Sequence, residues 1–149
     1  TTQATADGAL YRRVCERHAA HVRVLTQIAP DLVTLAEQGA PDTAESRACI
    51  AEHVAPLLAA GADQIVLACT HFPFLAPLLT SAIAGRAALV DPSPSVARQV
   101  GRVAAGIEAR VPEVPASHCY FTSGDPSVFS DQIARLLGVA VSARRVVLD

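Results

Sequence analysis

Cys69, Thr70 and His71 put a thiol, a hydroxyl and an imidazole on consecutive positions within the stretch QIVLACTHFPFL, residues 64–75. The thiol comes after a short β-branched run that reads as a buried parallel strand. Phe72-Pro73 then opens what reads as a helix, with the proline in its first turn. In open α/β sheets, ligands bind at the carboxyl ends of the strands. A helix start at that edge favours thiolate over thiol. An imidazole two residues on can take or return a proton, and Thr70 adds a hydroxyl and a backbone N–H. Such a set suits proton transfer or nucleophilic attack on a small anionic substrate. A plainer reading stands beside it, in which Cys69 is a small buried hydrophobe at the end of a core strand. Spacing alone leaves both open.

The remaining thiols and imidazoles carry weaker patterns. Cys15, His18 and His21 lack a fourth ligand at metal-site spacing, and a helix-end face accounts for them. Cys49 and His53 stand four apart on a helix and read as neighbours on its face. Cys119 reads as a core residue of a strand. The four cysteines form no CxxC pair, so reduced cytosolic thiols are expected, and no metal site is assigned. Neither GALY nor GRVAAG has the glycine pattern of a phosphate-binding loop.

The elements that must position the Cys-Thr-His stretch alternate between helices and short apolar strands, which indicates a layered α/β fold. Residues 6–20 read as a helix, and HVRVLTQIAPDLVTLAEQG, from His21, as a short strand followed by a loop. The next apolar stretch runs to Glu37 and Gly39. Helix formation is clearest in PDTAESRACIAEHVAPLLAAGA, with Asp42 or Thr43 as N-cap and Glu45 completing a capping box with Asp42. Pro56 should bend or break that helix, and Gly61 should end it. AALVD reads as a further strand. Beyond it, Val96, Val100, Val103, Ala104 and Ile107 share a helical face. RVPEVPAS reads as a loop, HCYFTS as a strand and RRVVL as a last strand. GDPSVFSDQIARLLG reads as a helix capped by Asp125, faced by Phe129, Ile133, Leu136 and Leu137, and ended by Gly138.

Composition removes several function classes. The hydrophobic share of 51% against 17% charged residues supports a packed core rather than disorder. With only 4% aromatics, that core must be aliphatic. The net charge is −2 and the twelve basic residues, all arginine, are dispersed, so neither a nucleic-acid surface nor a polybasic membrane patch is expected. No apolar run is long enough to span a bilayer and no signal peptide opens the chain, so a cytoplasmic location is expected.

LACTHFPFL resembles the second catalytic-cysteine motif of the glutamate racemases, in the aspartate/glutamate racemase superfamily. Other stretches come in the same order. TTQAT resembles the threonine-bearing segment that opens the family's second lobe, and APDLVTLAEQG a loop that carries an acidic residue, here Glu37. ALVDPSPSVARQV and YFTSGDPSVFSDQIARLLG resemble the later strand and helices. The resemblance implies that Cys69 is the acid/base thiol on one face of the substrate Cα. His71 would assist it and Glu37 would support the histidine. Thr70, Thr2 and Thr5 would bind the substrate. It implies cofactor-independent interconversion of L- and D-glutamate for peptidoglycan synthesis, with glutamate as the small-molecule partner. His71, where aspartate racemases commonly carry Glu, favours glutamate over aspartate or another small diacid.

The same resemblance sets the expected organisation. Residues 1–91 would form the second racemase lobe, and residues 92–149 would be a segment that returns to complete a first lobe. The Asp-Ser and Cys-Asn-Thr motifs of that first lobe are absent from the chain. It is therefore expected to be the C-terminal portion of a racemase, or a truncated, non-catalytic lobe, and to need the missing lobe for turnover. Uncovered helix faces at Phe129, Ile133 and Leu137 would favour self-association.

Overall fold

A parallel strand pair with helix between its strands is built twice along this chain. The computed structural model describes residues 1–106 and 117–148, and the chain divides into two units, Thr1–Pro94 and Ser95–Asp149.

The first unit starts with a single helical turn, α1 (Gln3–Ala6), and continues into α2 (Ala9–His18). The helix expected over residues 6–20 thus begins late. Gly8 is extended and its N–H bonds back to the Thr5 carbonyl, so the two pieces do not merge. The strand expected from His21 does not form. Residues 23–29 have no ladder partner among the described residues; instead the backbone of Gln27 and Ala29 is bonded to Thr1.

Helix α3 (Asp31–Glu37) buries Leu32, Leu35 and Ala36. It ends at Gly39, which takes φ of +88°. The Gly39 N–H bonds to the Ala36 carbonyl and the Ala40 N–H to that of Leu35, the paired bonds of a Schellman end. Helix α4 (Ala44–Ala59) closes in the same way at Gly61, through Gly61 N–H to Leu58 and Ala62 N–H to Leu57. Its N-cap is Thr43, whose hydroxyl accepts the Ser46 N–H at 3.2 Å. Asp42 instead forms a two-pronged ion pair with Arg47, so the Asp42–Glu45 capping box is not used. The expected break at Pro56 is absent. Only one helical turn lies beyond the proline, so the carbonyl it leaves without its usual donor is that of Glu52, on an exposed face.

Strand β1 (Gln64–Val66) leads to a 3-10 turn at Phe72–Leu75, then α5 (Ala76–Ile83) and β2 (Ala88–Val90). The strands pair in parallel, Gln64 with Ala88, Ile65 with Leu89 and Val66 with Val90. A further bond from Leu67 N–H to the Val90 carbonyl extends the ladder. Ile65 and Leu67 point into the core formed by α3, α4 and α5, while Val66 is 57% exposed. The strand is buried on one face, not on both as expected, because those helices stand on the Ile65 side.

The second unit takes in most of α6 (Ser93–Ala105), then β3 (Tyr120–Thr122), α7 (Pro126–Leu137) and β4 (Ala143–Arg145). Residues 93–105 of α6 are all exposed, with Val96, Val100 and Val103 each more than half so. Ile107 and most of the proline-bearing loop lie outside the described residues. Helix α7 keeps closely to its sequence signals. Asp125 accepts the Ser127 and Val128 N–H groups, and Gly138 ends the helix at φ +68°. Phe129, Ile133 and Leu136 are half-buried in a unit whose helix packs on β3 and β4, and of the face expected to be open only Leu137 is exposed. β3 and β4 are parallel, with Tyr120 opposite Ala143. Cys119 is exposed and precedes β3, so it is not the core residue that was expected. No described residue of this unit is fully buried, which leaves Cys119 no core to enter. No helix among the described residues is long and apolar enough to cross a membrane.

Candidate active site

The ladder's last bond is at Leu67, and Leu67 is buried, so the chain leaves the sheet at a fixed point two residues before Cys69. Phe72 and Leu75 of the 3-10 turn are buried as well. Cys69, Thr70 and His71 therefore span two apolar anchors. The Phe72 N–H bonds to the Cys69 carbonyl and the Phe74 N–H to that of His71, which turns the chain at once. The chain beyond Cys69 enters a 3-10 turn, Phe72–Leu75, that runs directly into α5, so the expected helix start is there, its first turn in 3-10 form. Side chains add to the thiol's setting at this helix start.

Those side chains come from α3 and from the stretch itself. The Cys69 Sγ is 3.8 Å from His71 Nδ1. On the other side of the ring, Nε2 is 3.4 Å from Glu37 Oε1. Glu37 is the last residue of α3, directly after fully buried Ala36, and the Schellman end at Gly39 fixes the turn that carries it. Carboxylate, imidazole and thiol stand in line. A carboxylate at Nε2 holds the proton there and leaves Nδ1 as the base facing the thiol. The arrangement can move a proton between Cys69 and the ring without a change of rotamer.

The threonines expected to bind substrate reach the same strand end through their neighbour. The Thr1 hydroxyl donates to the Ala68 carbonyl at 3.1 Å, and the Thr1 carbonyl accepts the Ala29 N–H at 3.0 Å. Thr2 and Thr5, both half-buried, have their hydroxyls 3.1 Å apart. Thr70 is exposed on the turn between Cys69 and His71.

A second cluster escaped sequence reasoning. Asp31, the first residue of α3, joins Cys49 and His53 of α4. His53 Nε2 is 2.7 and 2.9 Å from the two Asp31 oxygens, and the Cys49 thiol donates to Oδ2 at 3.2 Å. Burial and the neighbouring Asp31 carboxylate push the Cys49 thiol up to about 11. Burial would raise Asp31, but hydrogen bonds from His53 and Cys49 outweigh it and hold the carboxyl below its usual range. The helical spacing of Cys49 and His53 was visible in sequence, but nothing in that spacing pointed to Asp31. Cys15, His18 and His21 form no such three-ligand group among the described residues.

Residues 1–100 match the family described as Asp/Glu/Hydantoin racemase. The chain is 42% identical over 130 residues to the glutamate racemase of Herpetosiphon aurantiacus, a match that takes in 87% of this chain and 51% of that protein. It is 35% identical over 147 residues to the glutamate racemase of Pseudomonas putida strain W619, covering 99% of this chain and 56% of that one. Among solved structures, the glutamate racemase from Thermus thermophilus in complex with β-chloro-D-alanine is similar with a TM-score of 0.77 at 27% identity, over 99% of this chain and 54% of that chain. The Bacillus anthracis glutamate racemase isoform RacE1 shares the fold, with a TM-score of 0.80 at 22% identity, over 93% of this chain and 52% of that one. The chain spans about half the length of the curated relatives it matches.

Proposed function

The chain belongs to the Asp/Glu/Hydantoin racemase family, and on that premise we propose that it is the C-terminal portion of a glutamate racemase. The activity is interconversion of L- and D-glutamate in the cytoplasm, supplying D-glutamate for peptidoglycan. The observation that carries this reading is the position of His71, within reach of the Cys69 thiol on one side and the Glu37 carboxylate on the other. Racemisation by this route is 1,1-proton transfer. His71 takes the Cys69 proton, Glu37 stabilises the resulting imidazolium, and the thiolate removes the α-proton from one face of the substrate. In the reverse direction the Cys69 thiol delivers a proton to that face. Thr70, Thr2 and Thr5 supply hydroxyls for the substrate's carboxylate and amino groups. Donors of this kind must surround the carbanion that develops at Cα, because an amino-acid α-proton is weakly acidic.

Inversion needs a second thiol on the opposite face. In this reading it lies in the half of the relatives that the chain does not span. Residues 92–149 belong with that half, and the open valine face of α6 is where it packs. The 149-residue chain alone should give no change in ellipticity with L-glutamate. Fused behind the first half of the Herpetosiphon aurantiacus relative, it should racemise L-glutamate. Turnover by the chain alone, abolished by Cys69→Ser, would sink the two-lobe reading. A panel of L-aspartate, hydantoins and other small diacids tests the choice of glutamate, and faster turnover of any of them would overturn it.

A further inference from the structure

We propose that Asp31, Cys49 and His53 form a binding site for a thiophilic divalent metal ion, zinc in the first instance, that clips the start of α3 to the middle of α4. The three side chains offer one oxygen, one sulfur and one nitrogen, all within 4.8 Å of one another. Zinc bonds of about 2.0–2.3 Å place the ligand atoms of a tetrahedral centre about 3.3–3.7 Å apart. With Asp31 Oδ2 as the ligand oxygen, the oxygen–nitrogen edge here is 2.9 Å and the oxygen–sulfur edge 3.2 Å. Both edges are bridged by a proton, and a metal replacing those protons opens them by roughly half an ångström.

Donor chemistry selects the ion. A thiolate with an imidazole suits zinc, cobalt or nickel and is poorly matched to magnesium or calcium, which prefer oxygen alone. Cys49 and His53 are four apart on one helix, so a rigid turn fixes their separation. His53 also has an outer partner. Its Nδ1 is 3.1 Å from the Gln27 amide, which can turn its oxygen to the ring and leave Nε2 free for a metal. Asp31 and Cys49 also line an open groove, together with Glu45. Three protein ligands with an open fourth place are the pattern of an accessible zinc site rather than a closed structural one. On binding, the Cys49 proton passes to solvent and no oxidation or reduction occurs.

The test uses the full 149-residue chain, reduced and stripped of metal, titrated with Co(II). Binding at one equivalent with a sulfur-to-cobalt charge-transfer band is expected. Cys49→Ser should remove the band, while Cys15→Ser, Cys69→Ser and Cys119→Ser should keep it. Gln27→Leu should weaken binding about 10- to 100-fold, as loss of an outer-shell partner does. A second measurement on the unmodified chain avoids any loss of fold in the variants. Zn(II) should shield Cys49 from iodoacetamide in peptide mapping. A chain that shows no band, a band that survives Cys49→Ser, or shielding of another cysteine in place of Cys49 would each overturn the site.

Discussion

Helix α3 carries a thiol–imidazole–carboxylate set at each of its ends, and the two differ in order. At its last residue the groups run carboxylate, imidazole, thiol: Glu37, His71, Cys69. At its first residue the carboxylate stands between the other two: Cys49, Asp31, His53. A base next to a thiol can accept its proton and hand it back. Burial and an anion next to a thiol hold that proton in place, and Cys49 is accordingly pushed up to about 11. On the proposed mechanism, the same three functional groups make a proton-transfer site in one order and, together with burial, a resting thiol in the other.

The largest effect that can break this contrast is on turnover. In the fused two-lobe protein, Cys69→Ser should cost about 10²–10⁴-fold in kcat, the usual worth of a positioned acid/base. Cys49→Ser should cost at most about tenfold, through packing alone. Circular dichroism on L-glutamate reads both, and equal losses would show that order does not separate the two thiols.

Next comes alkylation of the metal-free chain with chelator present. At about pH 8, a thiol at about 11 carries about a hundredfold less thiolate than an ordinary one, and its higher nucleophilicity recovers part of that. Cys49 should therefore react about tenfold more slowly than a free thiol. Its rate should keep climbing as pH rises toward about 11. Asp31→Asn removes the anion and should speed Cys49 while leaving Cys69 unchanged. Peptide-resolved rates check this, and a Cys49 that reacts as fast as Cys69 would erase the distinction.

The range of each interaction decides how much of this was readable beforehand. Asp125, Pro126 and Gly138 act on their own helix, and α7 starts and stops where they say. Cys69 and His71 are two residues apart, so their pairing was also within reach of the sequence. Glu37 is far from His71 in the chain. It was named through the family resemblance, and α3 packing on the 3-10 turn brings it there. Asp31 was invisible, because it meets Cys49 across 18 residues through the packing of α3 on α4. The strand misread from His21 failed for a similar reason. Its alternating valines fit a strand, but a ladder needs a partner, and the nearby backbone bonds go to Thr1.

The smallest effect separates the two ends of α3 from each other. Gly39 holds φ of +88° just past the Glu37 end. An alanine there is strained by about 1–2 kcal/mol. The easiest relief is to unwind the last turn, because the two Schellman bonds depend on that glycine. Unwinding moves Glu37 away from His71 but leaves Asp31, a full helix length away, hydrogen-bonded to His53. Gly39→Ala should therefore lower the melting temperature modestly and change the alkylation rate of Cys69. The slow reaction of Cys49 should be untouched. If both thiols shift together, α3 moves as one body and its two ends are not independent sites.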